Sequence, residues 1–522
     1  MKVTFLGHAG LFVQTDHGSI LCDPWFNPAF FASWFPFPDN QDLDIDAIGH
    51  PDFLYVSHLH HDHFDPTFLR DHVDKQATVL LPQYPMPHLQ DALAALGFTR
   101  FVRTANGRPL HLDGLRIMIV ALVAPTDGPI GDSGHAVDDG RVSIFNQNDA
   151  RPVDLEPLTD FAAFDGHFLQ YSGAIWYPMV YDFPPRMKQT LGRKKRQNEM
   201  ARAKRYVEEV GASYVFPCAG PPCFLDPELF DLNDFDRDPA NTFPDQTVFL
   251  ELLREHGLTG GRLLVPGSVA TLAPGSCQVD HPLPDEEVAA IFAHKRAYLE
   301  AYQARRLPQI QAAKAAWPRG QVEDLVGALK AWWEPLLQQA DHTCAGVNGR
   351  VLLEVDDEQV VVDFLDRRVG AWNGEPCRYR FRIDRALVEA CILGHEEDWV
   401  NELFLSCRFQ ARRDGPYNEF VYNFFKTLSP ERLQYAEGWY VEQAPDQELL
   451  ALDGYLVQRR CPHLKADLAR FGEVDDGVLT CRMHGWQFDL ATGRCLTSND
   501  RTLYAVPHPT AKAKGDPQGP PR

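Results

Sequence analysis

The sequence has no run of roughly 18 or more apolar residues, the length a membrane-spanning helix needs. Its first residues, MKVTFLGHAG, do not read as a secretory signal, because the apolar stretch is short and no small-residue cleavage site follows a basic start. Positive charge is scarce. With 50 Lys and Arg against 72 Asp and Glu, the net charge is −22, which argues against broad nucleic-acid binding. A local basic pocket for an anionic substrate stays compatible with that surface. The 11 cysteines are scattered with no framework spacing, so they read as reduced thiols and metal ligands, not disulfides. No G-x-G-x-x-G follows a strand, so no flavin or nicotinamide site is expected. A cytoplasmic protein without a membrane or nucleic-acid partner is the expectation, and its oligomeric state stays open.

What is present divides along the chain. Residues 1–282 alternate β runs such as VTFLGHAGLFVQT, DFLYVS and LRIMIVALV with helical stretches such as KKRQNEMARAKRYVEEVG. That alternation predicts a layered α/β domain. Residues 283–432 turn helical and then mixed, predicting an α+β middle domain. Residues 433–508 are short strands punctuated by Gly, predicting a small all-β domain. The last residues, 509–522, are polar and read as a disordered tail.

Two clusters carry chemistry. Near the C-terminus, Cys461 and His463 form a C-x-H pair, and Cys481 and His484 form a C-x-x-H pair 17 residues later. Two thiolates and two imidazoles on two loops can hold a [2Fe–2S] cluster with one iron on sulfur and the other on nitrogen. A structural zinc site more commonly pairs Cys with Cys and His with His along the chain. Near the N-terminus, SHLHHDHFD at 57–65 follows an apolar strand. It offers His58, His60, Asp62 and His63 from one turn to one or two metal ions, and Pro66 then suits a helix start.

The C-terminal segment, including GWQFDLATGRC, resembles the Rieske family over roughly 436–508. Ala466 and Met483 stand where the respiratory branch has a disulfide, so the likeness is to the oxygenase and ferredoxin branch. The H-x-H-x-D-H pattern, with GHAG at 7–10 and CDPWF at 22–26, resembles the metallo-β-lactamase fold, an αββα sandwich. That resemblance implies His61 as a spacer and Asp149 as a bridging ligand. It implies a further histidine between the motif and Asp149, for which Asp132 and His135 are the nearest candidates, and a last one for which His167 is a guess. Asp62 and His8 are implied as catalytic residues, His8 by pointing toward the metals in a supporting or substrate-contacting role. Two His and a carboxylate with open positions suit non-haem iron, with zinc as the alternative.

The pairing of these two halves is similar to the hydroxylases that convert an N-acetyl group on a nucleotide sugar to N-glycolyl. The stretches SHLHHDHFDPTFL, 132–152, YVFPCAG, VVDFLD and FQARRDG share in the likeness. A C-terminal Rieske domain is the order of the UDP-N-acetylmuramate branch, with CMP-N-acetylneuraminate second. The resemblance implies an O2-dependent monooxygenase served by an external ferredoxin or NAD(P)H-dependent reductase. The alternative is a zinc hydrolase, a lactonase or phosphodiesterase, with the cluster as a redox regulator; a plain electron carrier is the third reading. The basic stretch 193–205 predicts Arg193, Arg196 and Lys204 as phosphate contacts, and Arg412 and Arg413 are a second candidate pair. The aromatic loop 25–37 is read as either a pocket wall or core packing.

Overall fold

A computed structural model describes residues 1–124, 131–173, 175–442, 448–498 and 501–508. The expected tail at 509–522 lies outside the described residues. The chain forms two compact units, one of 1–415 with 419–441, the other of 416–418 with 442–522.

The first unit is built on two facing sheets. An eight-stranded sheet runs in the order 276–280, 269–273, 2–7, 10–15, 18–22, 53–55, 78–81 and 101–103. A six-stranded sheet runs 214–218, 166–170, 143–148, 132–138, 115–122 and 110–112. Their inner faces close on one core in which Val3, Leu11, Val13 and Ile20 meet Ile117, Ile119, Val137, Ile144 and Phe168. Strands buried on both faces explain why DFLY reads as a continuous apolar run and not an alternating one. The outer face of the larger sheet packs on helices Pro66–His72 and His88–Ala95 through Leu54, Val79, Phe68, Leu69 and Leu93. Helices Pro185–Val210 and Gln246–Glu255 lie against the smaller sheet. The result is the expected αββα sandwich.

Residues 283–432, expected as a domain of their own, lie within this unit. Helix Lys295–Ala315 buries Leu299, Tyr302 and Ile310 against Phe35, Phe37 and Leu225 of the sandwich. The five-stranded sheet 368–371, 358–363, 350–355, 379–383 and 409–413 bridges to it through Tyr181 and Ala411. A dense aromatic core of Trp333, Trp399, Phe381, Phe404 and Phe425 fills the space behind that sheet. The second unit has two three-stranded sheets, 449–452, 455–458 and 505–507, and 472–475, 478–481 and 486–489. Among the described residues no helix is long and apolar enough to cross a membrane.

Candidate metal centre and cluster site

Strand Phe53–Tyr55 ends inside the sandwich and delivers Ser57 to His63 as a tight turn, closed by His63 N–H and Phe64 N–H donating to the His60 carbonyl at 2.9 and 2.7 Å. Asp65 then caps helix Pro66–His72 by accepting from Phe68 N–H at 2.9 Å, with Pro66 in the first turn. Its second oxygen accepts from the backbone of Phe26 and Asn27 at 3.0 and 2.9 Å, tying the motif to the aromatic loop.

The turn presents two groups of donors. His58, His60 and Asp149 form one, and His8, Asp62 and His63 the other; within each group the ligand atoms lie within 4.8 Å of one another. His58 Nε2 is 2.7 Å from His60 Nδ1. Asp149 Oδ2 is 3.9 Å from His58 Nε2 and 3.5 Å from His63 Nε2, so this carboxylate lies between the groups. A bulge at the end of strand Ser143–Asn148 turns Asp149 inward: Asn148 has φ 45° and is held by its amide to the Ser133 carbonyl at 2.9 Å.

His8 arrives from the first hairpin of the chain. The Gly7–Gly10 turn between the first two strands holds it at φ 52°, and its Nε2 is 2.9 Å from Asp62 Oδ2. Its ring meets Trp25 edge-on at 5.0 Å. Asp23, at the end of strand Gly18–Cys22, accepts from Ser57 N–H and Ser57 Oγ–H at 2.7 Å each and faces His63 Nδ1 at 3.0 Å. With Nδ1 so occupied, His63 is left to present Nε2 to the centre.

A metal fits these residues. The buried atoms His60 Nε2, Asp62 Oδ1, His63 Nε2 and Asp149 Oδ1 make no hydrogen bond, a costly state that a cation would relieve. Burial, with His63 adding to it, lowers His58 to about 4, and burial and His58 together lower His60, so both are neutral imidazoles able to ligate. Against the burial that would raise it, the histidines His63, His58 and His60 hold the Asp149 carboxyl well below the usual range. Four imidazoles and two carboxylates suit zinc or non-haem iron.

Several expected residues lie elsewhere. His135 is not among the donors: its strand position turns it toward Cys22 Sγ at 3.7 Å and onto the Tyr55 ring at 4.1 Å, and burial lowers it to about 4. His167 meets Gln147 at 2.9 Å and stacks on Phe145. The nitrogen expected from either of them is supplied by His8 instead. Asp132 stands behind His58 with its Oδ1 3.5 Å from the ring's Nδ1 and lines the cavity, while the hydrogen bond to that nitrogen is made by Ser57 Oγ at 2.9 Å. His61 points away to Glu402 at 3.0 Å.

A cavity of about 150 Å³ opens over the centre. His60, Asp62, Asp132 and Asp149 form its floor; Trp34, Ile175, Trp176, Val400 and Leu405 are apolar walls; Arg151, Lys195, Gln170, Asn401 and Lys426 are polar. Of the aromatic loop only Trp34 reaches it, while Phe26, Phe35 and Phe37 pack in cores. The predicted phosphate contacts are displaced. Arg196 is buried and bound to Asp234 at 2.9 Å and to the carbonyls of Asp238 and Asn241. Lys204 pairs with Glu208 at 2.6 Å, and Arg193 is exposed. Arg412 faces outward near Asp414 at 3.7 Å, and Arg413 lies over Tyr177, Tyr181 and Phe183. Periodicity placed the helix but assigned its faces wrongly, since burial against 234–241 takes the Arg196 face.

In the second unit, Cys461, three residues beyond strand Tyr455–Gln458, and Cys481, the last residue of strand Val478–Cys481, are buried. The first loop is closed by Lys465 N–H donating to the Cys461 carbonyl at 2.9 Å, the second by Gly485 N–H donating to Cys481 at 2.7 Å. Burial, and then the neighbouring Cys481 thiol, push the Cys461 thiol up, a state a shared metal cluster would reverse. The His463 and His484 rings lie 4.9 Å apart, and His463 stacks on Trp486 at 4.1 Å. Two sulfurs and two imidazoles therefore converge as a Rieske cluster requires. Ala466 and Met483 are buried where a disulfide would otherwise lie, and no disulfide occurs among the described residues.

Comparisons with known proteins find two domain families along the chain. Residues 439–506 match the Rieske [2Fe-2S] domain, and 325–442 match an Rv3818-like, SCP2-like domain. The chain is 52% identical over 511 residues to the Rieske 2Fe-2S iron-sulfur protein Rv3818 of Mycobacterium tuberculosis, covering 96% of this chain and 99% of that one. It is 52% identical over 515 residues to a Rieske 2Fe-2S iron-sulfur protein of Mycolicibacterium smegmatis, with the same coverage. Among solved structures, CmlA, a diiron β-hydroxylase from Streptomyces venezuelae, aligns with 52% of this chain and 54% of its own at 20% identity and a TM-score of 0.35. The metallo hydrolase Igni18 from Ignicoccus hospitalis aligns with 51% of this chain and 96% of its own at 18% identity and the same TM-score. At that level neither likeness distinguishes one reaction from the other.

Proposed function

Because this chain belongs to the family of Rieske 2Fe-2S iron-sulfur proteins represented by Rv3818, we propose that it is an oxygenase in which the cluster feeds electrons to iron held by the His8–Asp149 donor set. The observation that carries this reading is a Rieske domain, a one-electron carrier, in the same chain as a largely buried six-donor centre sharing Asp149. A hydrolase needs no electron source. A hydroxylation does: it consumes O2, two electrons and two protons and returns water with the alcohol. His58, His60 and Asp149, and His8, Asp62 and His63, would hold one or two iron ions, which when bound supply the activation of O2.

The chain's own residues do the rest. Asp23 and Ser57 fix the His63 and His58 rings from behind. Trp34, Ile175, Trp176, Val400 and Leu405 exclude water and receive an apolar group, while Gln170 and Asn401 can hydrogen-bond an amide. These features suit an acetamido methyl, and the substrate we propose is a nucleotide sugar, UDP-N-acetylmuramate first and CMP-N-acetylneuraminate second. No nicotinamide or flavin motif is present in the sequence, so a ferredoxin or NAD(P)H-dependent reductase is the proposed electron source.

Four imidazoles suit zinc as well, and a zinc lactonase or phosphodiesterase is the second reading. Metal analysis with O2 uptake separates the two. Iron in both units with O2 consumption dependent on reductase supports the oxygenase. Zinc in the first unit and hydrolysis without O2 would refute it.

A further inference from the structure

Three side chains lining the cavity over the metal floor keep buried polar atoms that the described residues leave unpaired: Trp34 Nε1, Trp176 Nε1 and Gln170 Oε1. The two tryptophans are 1% and 8% exposed. An indole nitrogen is a donor only, so turning the ring cannot change its character and only an acceptor satisfies it. Both rings are held in place by neighbours. Trp34 meets Phe30 edge-on at 4.7 Å and Phe224 at 6.5 Å, and Trp176 meets Tyr422 edge-on at 5.3 Å. A buried donor without a partner is costly, and a ligand acceptor in the cavity would relieve it.

A fourth side chain supplies the complementary group. Asn401 lies in the π-helical turn Val400–Phe404 and lines the same cavity. Its backbone N–H and its Nδ2 both donate to the Asp398 carboxylate, at 2.9 and 2.8 Å. That commitment fixes which way the amide faces, and leaves Oδ1, an acceptor, for the cavity. Gln170 closes strand Gly166–Gln170, and its amide can present either end.

We propose that this wall selects a secondary amide: Trp34 and Trp176 donate to its carbonyl oxygen, and Asn401 Oδ1 accepts its N–H. An ester of the same shape offers the carbonyl but no N–H, and sets an oxygen against Asn401 Oδ1. The cavity of about 150 Å³ has room for a small acylamino group but not for a nucleotide. With both polar atoms of the amide held by the walls, the acyl methyl is the part left for the floor of His60, Asp62 and Asp149. This inference rests on the nucleotide-sugar reading above and deepens it, by naming the residues that choose an acetamido group over an acetoxy one.

The test uses the whole metal-loaded, unreduced protein, so that binding is measured without turnover. Calorimetry compares UDP-N-acetylmuramate with two analogues changed only at the acetamido position: the acetate ester, which lacks the N–H, and the free hydroxyl, which lacks the acetyl group. The native protein should bind the amide roughly 10- to 100-fold more tightly than the ester. Equal affinity would overturn the proposal, and that comparison needs no variant. Asn401→Leu should abolish the preference by weakening the amide and not the ester. Trp34→Phe and Trp176→Phe keep an aromatic ring and remove the donor. Each should weaken the amide and the ester alike, by roughly 3- to 10-fold, and leave the hydroxyl analogue unchanged. A loss shared by all three ligands would overturn the assignment, because an indole that only packs acts through the shape of the cavity. No loss in either Trp variant would overturn it too. If the native protein binds none of the three, the inference falls together with the functional reading. If the stated pattern appears but reduction adds no oxygen, the functional reading fails and the amide seat stands.

Discussion

At the scale of single residues, the centre depends on groups that never touch a metal. Asp23 accepts three hydrogen bonds, two from Ser57 and one from His63, and so fixes which nitrogen of His63 faces inward. Asp23→Asn keeps the shape and removes the charge. It should weaken metal binding to the first unit by roughly 10- to 100-fold, the usual cost of losing such a partner; a metal titration followed by elemental analysis checks this, and unchanged affinity would contradict it. Glu396 offers a separate test by pH. Burial and then Glu402 push its carboxyl from 4.5 to about 7. The folded state holds this proton more tightly than the unfolded chain, so the contribution of Glu396 to stability is full below pH 4.5 and is lost as pH rises through about 7. Glu396→Gln should match the native protein at low pH and exceed it above pH 7 by on the order of 1–2 kcal/mol. Thermal unfolding at the two pH values reads the difference, and an equal shift at both would refute the assignment.

At the scale of elements, helix Pro185–Val210 brings Lys195 to the cavity lining, and one glycine sets its depth. A Cβ at Gly192 would stand 2.0 Å from the Ala240 carbonyl oxygen, closer than any contact allows. Gly192→Ala must push the helix outward, at a cost of about 1–3 kcal/mol. Because Lys195 rides on the same turn, substrate affinity should fall with stability; a loss of stability with unchanged affinity would argue that the helix does not set the wall. This helix also marks where sequence reading stops. Its existence and the strand before His58 were legible, because apolar runs and caps are local signals. So were the Cys461 and Cys481 pairs, whose donors sit close together in the chain. The face of the helix was not legible, since the burial of Arg196 against Asp234 and Asn241 is decided by a loop some 40 residues on. His8 was legible as a candidate but not as a donor beside Asp62, because only the meeting of the first hairpin with the metal loop brings them to 2.9 Å. Asp23 and Lys195 were legible only as members of CDPWF and of the basic stretch 193–205, because their partners, His63 and Glu199, are fixed by the folded structure.

At the scale of the whole molecule, two units carry two chemistries, and each should be removable alone. His58→Ala with Asp149→Ala should empty the first unit of metal and abolish turnover while the visible absorbance of the cluster persists. Cys461→Ser should bleach the cluster and leave the metal of the first unit in place. Loss of both groups in either variant would mean that the units do not fold and load separately. The central claim is that electrons from the cluster are spent on O2 at the His8–Asp149 centre. Its most direct test is to give the iron-loaded protein UDP-N-acetylmuramate, a reductase and isotopically labelled O2, and to weigh the product. The account predicts that the acetamido group gains one labelled oxygen, only when reductant is present. A product that carries oxygen from water, or forms without O2, would contradict it.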